Sequence, residues 1–441
     1  MCQPRSRPRH NERLVRITST RQRTTPVALN LVWLAFFLVA FVTACVQVVQ
    51  GDMDVFSRML TAMFDAARTG FEIALGLTGM MALWLGIMRV GERAGVVDLF
   101  ARLVNPLMRH LFPSVPAGHP ANGAMMMNVS ANVLGLDNAA TPLGLQAMRE
   151  LQQINPQPQR ASNAQLMFVV LNTAGVTLVP TSVIAIRQAM AVKQGLVGFN
   201  AADIFLPTLL STFIGFCAGI AAVAWYQRIN LFKPTLLAYF GGFVVAMGLM
   251  FAWLHQFPPQ QMAAWIGLIG AGSILAIVVA FLACGAIRRI NVYETFVDGA
   301  KDGFQVAIGI VPYLVAVLVG IAVFRAAGCM DVLMQGLSAV FSHLGIDTRF
   351  VPALPVGLMK TLSGAGARGL MVDVMTTYGV DSFQGKLAAI IQGSTETTFY
   401  VLAVYFGSVG IKDTRYALAC GLWADLIGLI GAVFIAYLFF G

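Results

Sequence analysis

Nine stretches of about 20 residues carry almost no charge: 28–50, 70–88, 164–186, 203–225, 235–254, 263–285, 305–324, 387–409 and 416–440. An α-helix of that length crosses a hydrocarbon core of about 30 Å. In lipid, every backbone N–H and C=O must find its partner inside the protein, and a run of this kind does so only as a helix. The balance of 58% hydrophobic and 11% charged residues agrees, being far more apolar than a soluble domain. The expected fold class is all-α, a polytopic membrane protein with about nine transmembrane helices. Two stretches remain over, 96–150 and 330–380, rich in Gly, Pro and small polar residues. They read as amphipathic or re-entrant segments.

The chain also resembles itself. Residues 67–111 laid on 300–344 without gaps match at 12 of 45 positions, where membrane composition alone gives roughly 4. Gly70, Phe71, Ala74 and Gly76 meet Gly303, Phe304, Ala307 and Gly309; Ala94, Gly95, Asp98 and His110 meet Ala327, Gly328, Asp331 and His343. This is a duplication at an offset of 233.

Charge gives the sense of the repeat. Residues 1–27 form a basic arm with seven Arg, expected to be disordered, which carries much of the net charge of +9. Segment 28–50 is too long for the apolar region of a signal peptide and reads as a retained helix. With the arm in the cytoplasm, 20 of the 29 Lys and Arg fall on the inner side of the threaded spans, as the positive-inside rule asks. The helix at 70–88 then runs inward and its copy at 305–324 outward. Inverted repeats are a mark of secondary transporters, whose halves supply two exchangeable faces.

Each copy is followed by polar islands. Residues 122–142 contain Asn128, Ser130, Asn132, Asp137, Asn138 and Thr141. Gly135 and Pro142 predict a helix, a turn at 135–138 and a second helix starting near Thr141. Asn172 and Thr173 follow in a span interrupted by Gly175 and Pro180, where Thr177 and Thr181 could bond back to their own helix. After copy two come Lys360, Ser363, Gly364, Arg368 and Asp373, then Gln392, Ser394, Thr395, Glu396 and Thr397 within one span. Such side chains are costly against lipid and must face protein or water. The candidate substrate-binding residues are Asn128, Ser130, Asn132, Asp137, Asn138, Thr141, Asn172, Thr173, Gln392, Ser394, Thr395, Glu396 and Thr397. Glu396, Arg368, Lys360 and Asp425 are candidates for coupling or for an ion pair. The bland alternative is that the polar groups glue helices together.

At these islands the chain resembles a known family. Asn128-Val-Ser-Ala-Asn132, the run from Leu134 to Met148, and Val179-Pro-Thr-Ser-Val-Ile184 resemble the spore maturation A proteins. Leu362-Ser-Gly-Ala-Gly366, Gln392-Gly-Ser-Thr-Glu-Thr-Thr-Phe-Tyr400, Tyr405-Phe-Gly-Ser-Val-Gly-Ile-Lys412 and Arg415-Tyr-Ala-Leu418 resemble the B proteins. Both are grouped with the nucleoside-recognition, or gate, domain, similar to segments of concentrative nucleoside and ferrous-iron transporters. The resemblance implies a fusion: a basic arm (1–27), an A-like half (28–230), connecting helices (231–290) and a B-like half (291–441), with two inverted gate-type repeats. Asp137 stands where the family pattern has Gly, and the arm is not part of the pattern.

The function expected is that of an inner-membrane permease or channel for a small polar or anionic solute, spore-maturation-like, with a cytoplasmic N-terminus. The alternative is a non-transporting scaffold or an envelope or spore maturation factor. No HExxH or GxSxG motif occurs and no carboxylate has a recognisable catalytic partner, so an enzyme is not expected. The six cysteines show no metal-ligand spacing, and no cofactor or metal is expected. The partners expected are the lipid bilayer and a small polar, nucleoside-like solute, but no nucleic acid; self-association into a homo-oligomer stays open.

Overall fold

A computed structural model describes residues 25–135 and 137–441, leaving aside the side chains of 25–29, 137–139, 259, 260 and 263. Residues 1–24 of the basic arm lie outside these residues, and 25–27, expected as its end, instead begin the first helix. The described chain is a helical membrane bundle. A first helix, α1 (Thr25–Val49), precedes copy one, which comprises α2 (Val55–Arg93), α3 (Val96–Leu111), α4 (Pro120–Val133), α5 (Asp137–Gln153), α6 (Asn163–Thr173), α7 (Thr181–Lys193) and α8 (Phe205–Gln227). Two connecting helices follow, α9 (Pro234–Leu254) and α10 (Pro259–Ile287). Copy two repeats the order: α11 (Val292–Ala326), α12 (Cys329–His343), α13 (Leu354–Leu362), α14 (Gly364–Tyr378), α15 (Phe383–Ser394), α16 (Thr398–Ser408) and α17 (Ala417–Phe440). The duplication thus extends through seven elements, well past the 45 residues where sequence identity survives.

Among the described residues, eight helical segments are long and apolar enough to cross a membrane, with α15 and α16 counted as one. The ninth expected span, 164–186, is present but broken into α6 and α7 around Gly175 and Pro180. The leftover stretches form the amphipathic α3 and α12 and two helical hairpins, α4–α5 and α13–α14. With 14 residues, α4 is roughly 21 Å long, too short to cross. The first hairpin has its turn at Leu134 and Gly135, earlier than the expected 135–138, and α5 starts at Asp137 rather than near Thr141, with Thr141 and Pro142 inside it. A proline there forfeits one backbone hydrogen bond, a smaller loss than leaving the preceding turn unwound at membrane depth.

The repeat's geometry is visible where α2 and α11 cross. Gly70 lies against the backbone of Val315, and its mate Gly303 against the backbone of Ala82, which is the mate of Val315. Further along, Gly299 meets Gly86. The helices therefore run antiparallel about a pseudo-twofold axis near Gly76 and Gly309, so the copies are inverted. A Cβ on Gly303 would sit 2.6 Å from the Ala82 backbone, which is why this close approach needs glycine. Gly95 and Gly328, also mates, both adopt left-handed φ values, 69° and 75°, to start α3 and α12. The helices α8 and α17 also cross closely, Gly215 on Gly428 and Ile214 on Gly431.

Loops of the two copies meet in pairs. Lys412 N–H donates to Gln159 O at 2.9 Å and Ala161 N–H to Asp413 O at 3.0 Å. At the other meeting point, Val380 N–H donates to Gln194 Oε1 at 3.0 Å, and Lys386 pairs with Asp203 at 3.3 Å. There the fully buried Arg187 pairs with Asp203 and donates to Ala201 O at 2.9 Å. Charge bias assigns the first pair of loops to one side and the second pair to the other.

Candidate functional site

Four discontinuities meet in one seam. The tip of the first hairpin rests on the α6–α7 break: Leu178 N–H donates to Val133 O at 2.7 Å, and Gly135 (φ 74°) leaves only 2.9 Å between a would-be Cβ and Val179 O. The tip of the second hairpin rests on the α15–α16 break, with Gly364 under the Thr397 hydroxyl and Gln392 Nε2 donating to Gly364 O at 3.4 Å. One bond ties the two breaks together, Glu396 N–H to Thr173 O at 2.9 Å. Three helices, α7, α14 and α16, begin at this seam. The Ser363 hydroxyl caps α14, whereas no side chain caps α7 or α16. Uncapped first-turn amides and the positive dipole end make a helix start attractive to negative charge.

Two cavities open on the seam. Cavity one, about 660 Å³, lies between α2, α11 and the first hairpin; Arg89, Glu92, Asp98, Met127, Leu143 and Asp302 line it. Cavity two, about 610 Å³, is lined by Thr177, Lys360, Ser363, Gln392, Glu396, Thr397 and Tyr400, among others. They share Gly135, Thr181, Ser182 and Arg368. Arg368 Nε donates to Gly364 O at 3.3 Å, and among the described residues no carboxylate pairs with it.

The place that cavity one holds in copy one is nearly filled in copy two. Arg325 and Met330, mates of Glu92 and Val97, line a remnant of about 10 Å³ with Leu370 and Asp373. There Arg325 and Asp373 pair at 2.6 Å, tying α11 to α14, and Gly369 lies directly against Val317. In copy one Arg89 turns to Asp302 at 2.6 Å and Glu92 at 3.0 Å. Among the described residues no ion pair links α2 to the first hairpin.

The expected site residues divide into two groups. Gln392, Glu396, Thr397, Lys360 and Arg368 line cavity two. Asn128, Ser130, Asn132, Asn172 and Thr173 line neither cavity. Asn132 Nδ2 donates to Asn172 Oδ1 at 2.8 Å, Tyr405 OH donates to the same oxygen at 3.2 Å, and Asn128 Nδ2 donates to Ala140 O at 2.7 Å. Thr173 and Ser394 bond back to their own helices, and Ser130 Oγ is buried without a partner among the described residues. Thr141 lies within α5 and lines neither cavity, although the adjoining Pro142 and Leu143 line cavity one. Thr395 packs its methyl on Gly215 and Gly428. Asp425 accepts from the Thr398 hydroxyl at 2.7 Å, close enough to Lys360 and Glu396 for their charges to act on it. The side chains of Asp137 and Asn138 lie outside the described residues. Among the described residues, no group of three or more His, Cys, Asp or Glu could hold a metal ion.

Sequence reasoning did not single out Arg89, Glu92, Asp98 and Asp302 as cavity residues. The signal was present: two charges three apart at the end of a long span, and an Asp98 retained in its mate Asp331.

The nucleoside-recognition (Gate) family profile matches the chain at 74–190 and 307–412, so both matches begin at repeat mates, Ala74 and Ala307. Over 177 residues the chain is 45% identical to spore maturation protein B of Bacillus subtilis, covering 40% of this chain and 96% of that protein. Over 194 residues it is 35% identical to spore maturation protein A of the same organism, covering 44% of this chain and 91% of that one. Two separate proteins thus correspond to one fused chain. No solved structure matches it.

Proposed function

The chain belongs to the nucleoside-recognition (Gate) family, and from that premise we propose that it is a transporter-like protein of the cell inner membrane, N-terminus cytoplasmic, that moves a small polar solute through the seam between its inverted repeats. One observation carries this reading: the unequal gaps, about 660 Å³ in copy one and about 10 Å³ in copy two. Two halves related by inversion, one open and one shut, are what one frame of an alternating-access cycle looks like. Exchange of the two states would present the seam to the opposite side. The A-like half, 28–230, and the B-like half, 291–441, would each supply one gate, giving one chain a role in spore or envelope maturation that its relatives' names divide between two.

Glu396, exposed to cavity two, is the proposed coupling group. An ionisable residue at membrane depth with access to a polar cavity can carry a proton or attract a cation. In proteoliposomes screened for solute uptake, Glu396→Gln is expected to abolish coupled uptake while the protein still inserts; unchanged uptake would sink this role.

A second reading has its own observation. The Asn132–Asn172–Tyr405 network is turned inward and bonded to itself, as in a scaffold whose polar residues serve packing. A screen that finds no transported solute, together with strong destabilisation by Asn172→Ala, favours that scaffold.

A further inference from the structure

The reading of the cavities as a solute path leaves the solute's class open, and the groups at their junction narrow it. Four residues face both cavities, and the charged one among them is Arg368, on the second turn of α14. Its guanidinium offers several N–H donors, and the bond to Gly364 O uses one nitrogen. Glu92, Asp98, Asp302 and Glu396 line the same two cavities, but none forms an ion pair with Arg368, and a guanidinium left unpaired at a cavity wall favours an anion. Beside it stand Thr181 and Ser182 at the start of α7. Thr181 is nine-tenths buried, and neither hydroxyl makes a hydrogen bond among the described residues. Thr397, equally buried, begins α16 with no side-chain cap. The starts of α7 and α16, which no side chain caps, also favour an anion. Gln392 adds an opposite requirement: its Oε1 is buried without a partner at the wall of cavity two, and it can accept a hydrogen bond from a hydroxyl or amine.

We propose that the solute is a small organic oxyanion, a carboxylate or phosphate monoester, whose charged group seats on Arg368, Thr181 and Ser182 and whose hydroxyl or amine reaches Gln392. Arg368 is then the residue that selects charge.

The test uses the purified full-length chain in detergent and measures binding by calorimetry. The probes are uridine 5′-monophosphate, 3-hydroxybutyrate and inorganic phosphate, against uridine, glycerol and choline; short-chain phosphatidylglycerol represents a lipid phosphate. At least one organic anion is expected to bind, and Arg368→Gln is expected to weaken it about tenfold to a hundredfold, the usual loss for one charge-assisted contact. Arg368→Lys should recover part of that loss. If Arg368→Gln fails to fold, Ser182→Ala removes one donor and should still weaken anion binding severalfold. The proposal is overturned if only uridine, glycerol or choline binds, if no soluble anion binds, if inorganic phosphate or the lipid alone does, or if Arg368→Gln leaves anion affinity unchanged. Uptake of a neutral solute in proteoliposomes would keep the transport reading and remove the anion. Anion binding without uptake of any solute would do the reverse.

Discussion

The gap beside α2 and the gap beside α11 are built from equivalent elements and differ in almost every contact. Beside α11 the second hairpin is held by a mostly buried ion pair, Arg325 with Asp373, and by Gly369 pressed on Val317. Beside α2 the corresponding space is a cavity, and the α2 cation that lines it is spent within α2 and across to α11, Arg89 on Glu92 and Asp302. Related copies of one fold in two arrangements show that this fold tolerates both. The difference lies in a few side chains at the gap, while the crossing of α2 and α11 on which both gaps hang pairs equivalent positions from either side, more closely at Gly303 than at Gly70.

That crossing offers the largest effect with which to break the comparison. Gly303→Ala would push a methyl group into the Ala82 backbone at 2.6 Å, and backbone cannot step aside as a side chain can; a loss of about 3 kcal/mol or more is expected. Its mate Gly70→Ala meets the Val315 side chain at 3.1 Å and should cost about 1 kcal/mol. Unfolding midpoints of the two variants in detergent decide it; equal losses would mean that the crossing is not packed as described. Next, Asp373→Asn should loosen the closed gap by about 2–4 kcal/mol, since removing one partner of a buried pair leaves the other uncompensated. The readout is labelling of a cysteine introduced by Met334→Cys, which should become reactive.

Asn172→Ala strips the acceptor from Asn132 and Tyr405 together and is expected to cost about 1–3 kcal/mol, measured by the same midpoint. Smallest is Arg89→Gln in the open gap. Both carboxylate partners are over a third exposed, and the expected change is under about 1 kcal/mol.

What the chain revealed before its fold was the part governed by long-range averages. Runs of apolar residues marked the spans, the 233-residue offset marked the duplication, and Lys and Arg placement indicated the inversion that Gly70 and Gly303 then display. Glycine, proline and clustered polar residues marked the hairpins and breaks. Which polar side chains face water was not legible. Asn132 and Asn172 turn toward each other, while Thr181 and Ser182, further along the same broken span, face the cavities. That choice depends on how the hairpin tip seats on the break, through contacts such as Leu178 with Val133 that no local pattern encodes. The closed state of one gap and the open state of the other were equally hidden, because related repeats carry no mark of which is shut.

Exchange between the copies is tested most directly at the repeat mates Met88, lining the open gap, and Ile321, its fully buried counterpart on α11. Each is replaced singly, as Met88→Cys or Ile321→Cys, in a background without native cysteines and labelled with a membrane-impermeant maleimide from either side. The Met88→Cys thiol should react from one side. When Leu85→Cys and Leu143→Cys, at positions lining cavity one, are cross-linked to hold that cavity shut, the Ile321→Cys thiol should become reactive from the other side. An Ile321→Cys thiol that stays protected whatever the state of cavity one would contradict alternating access.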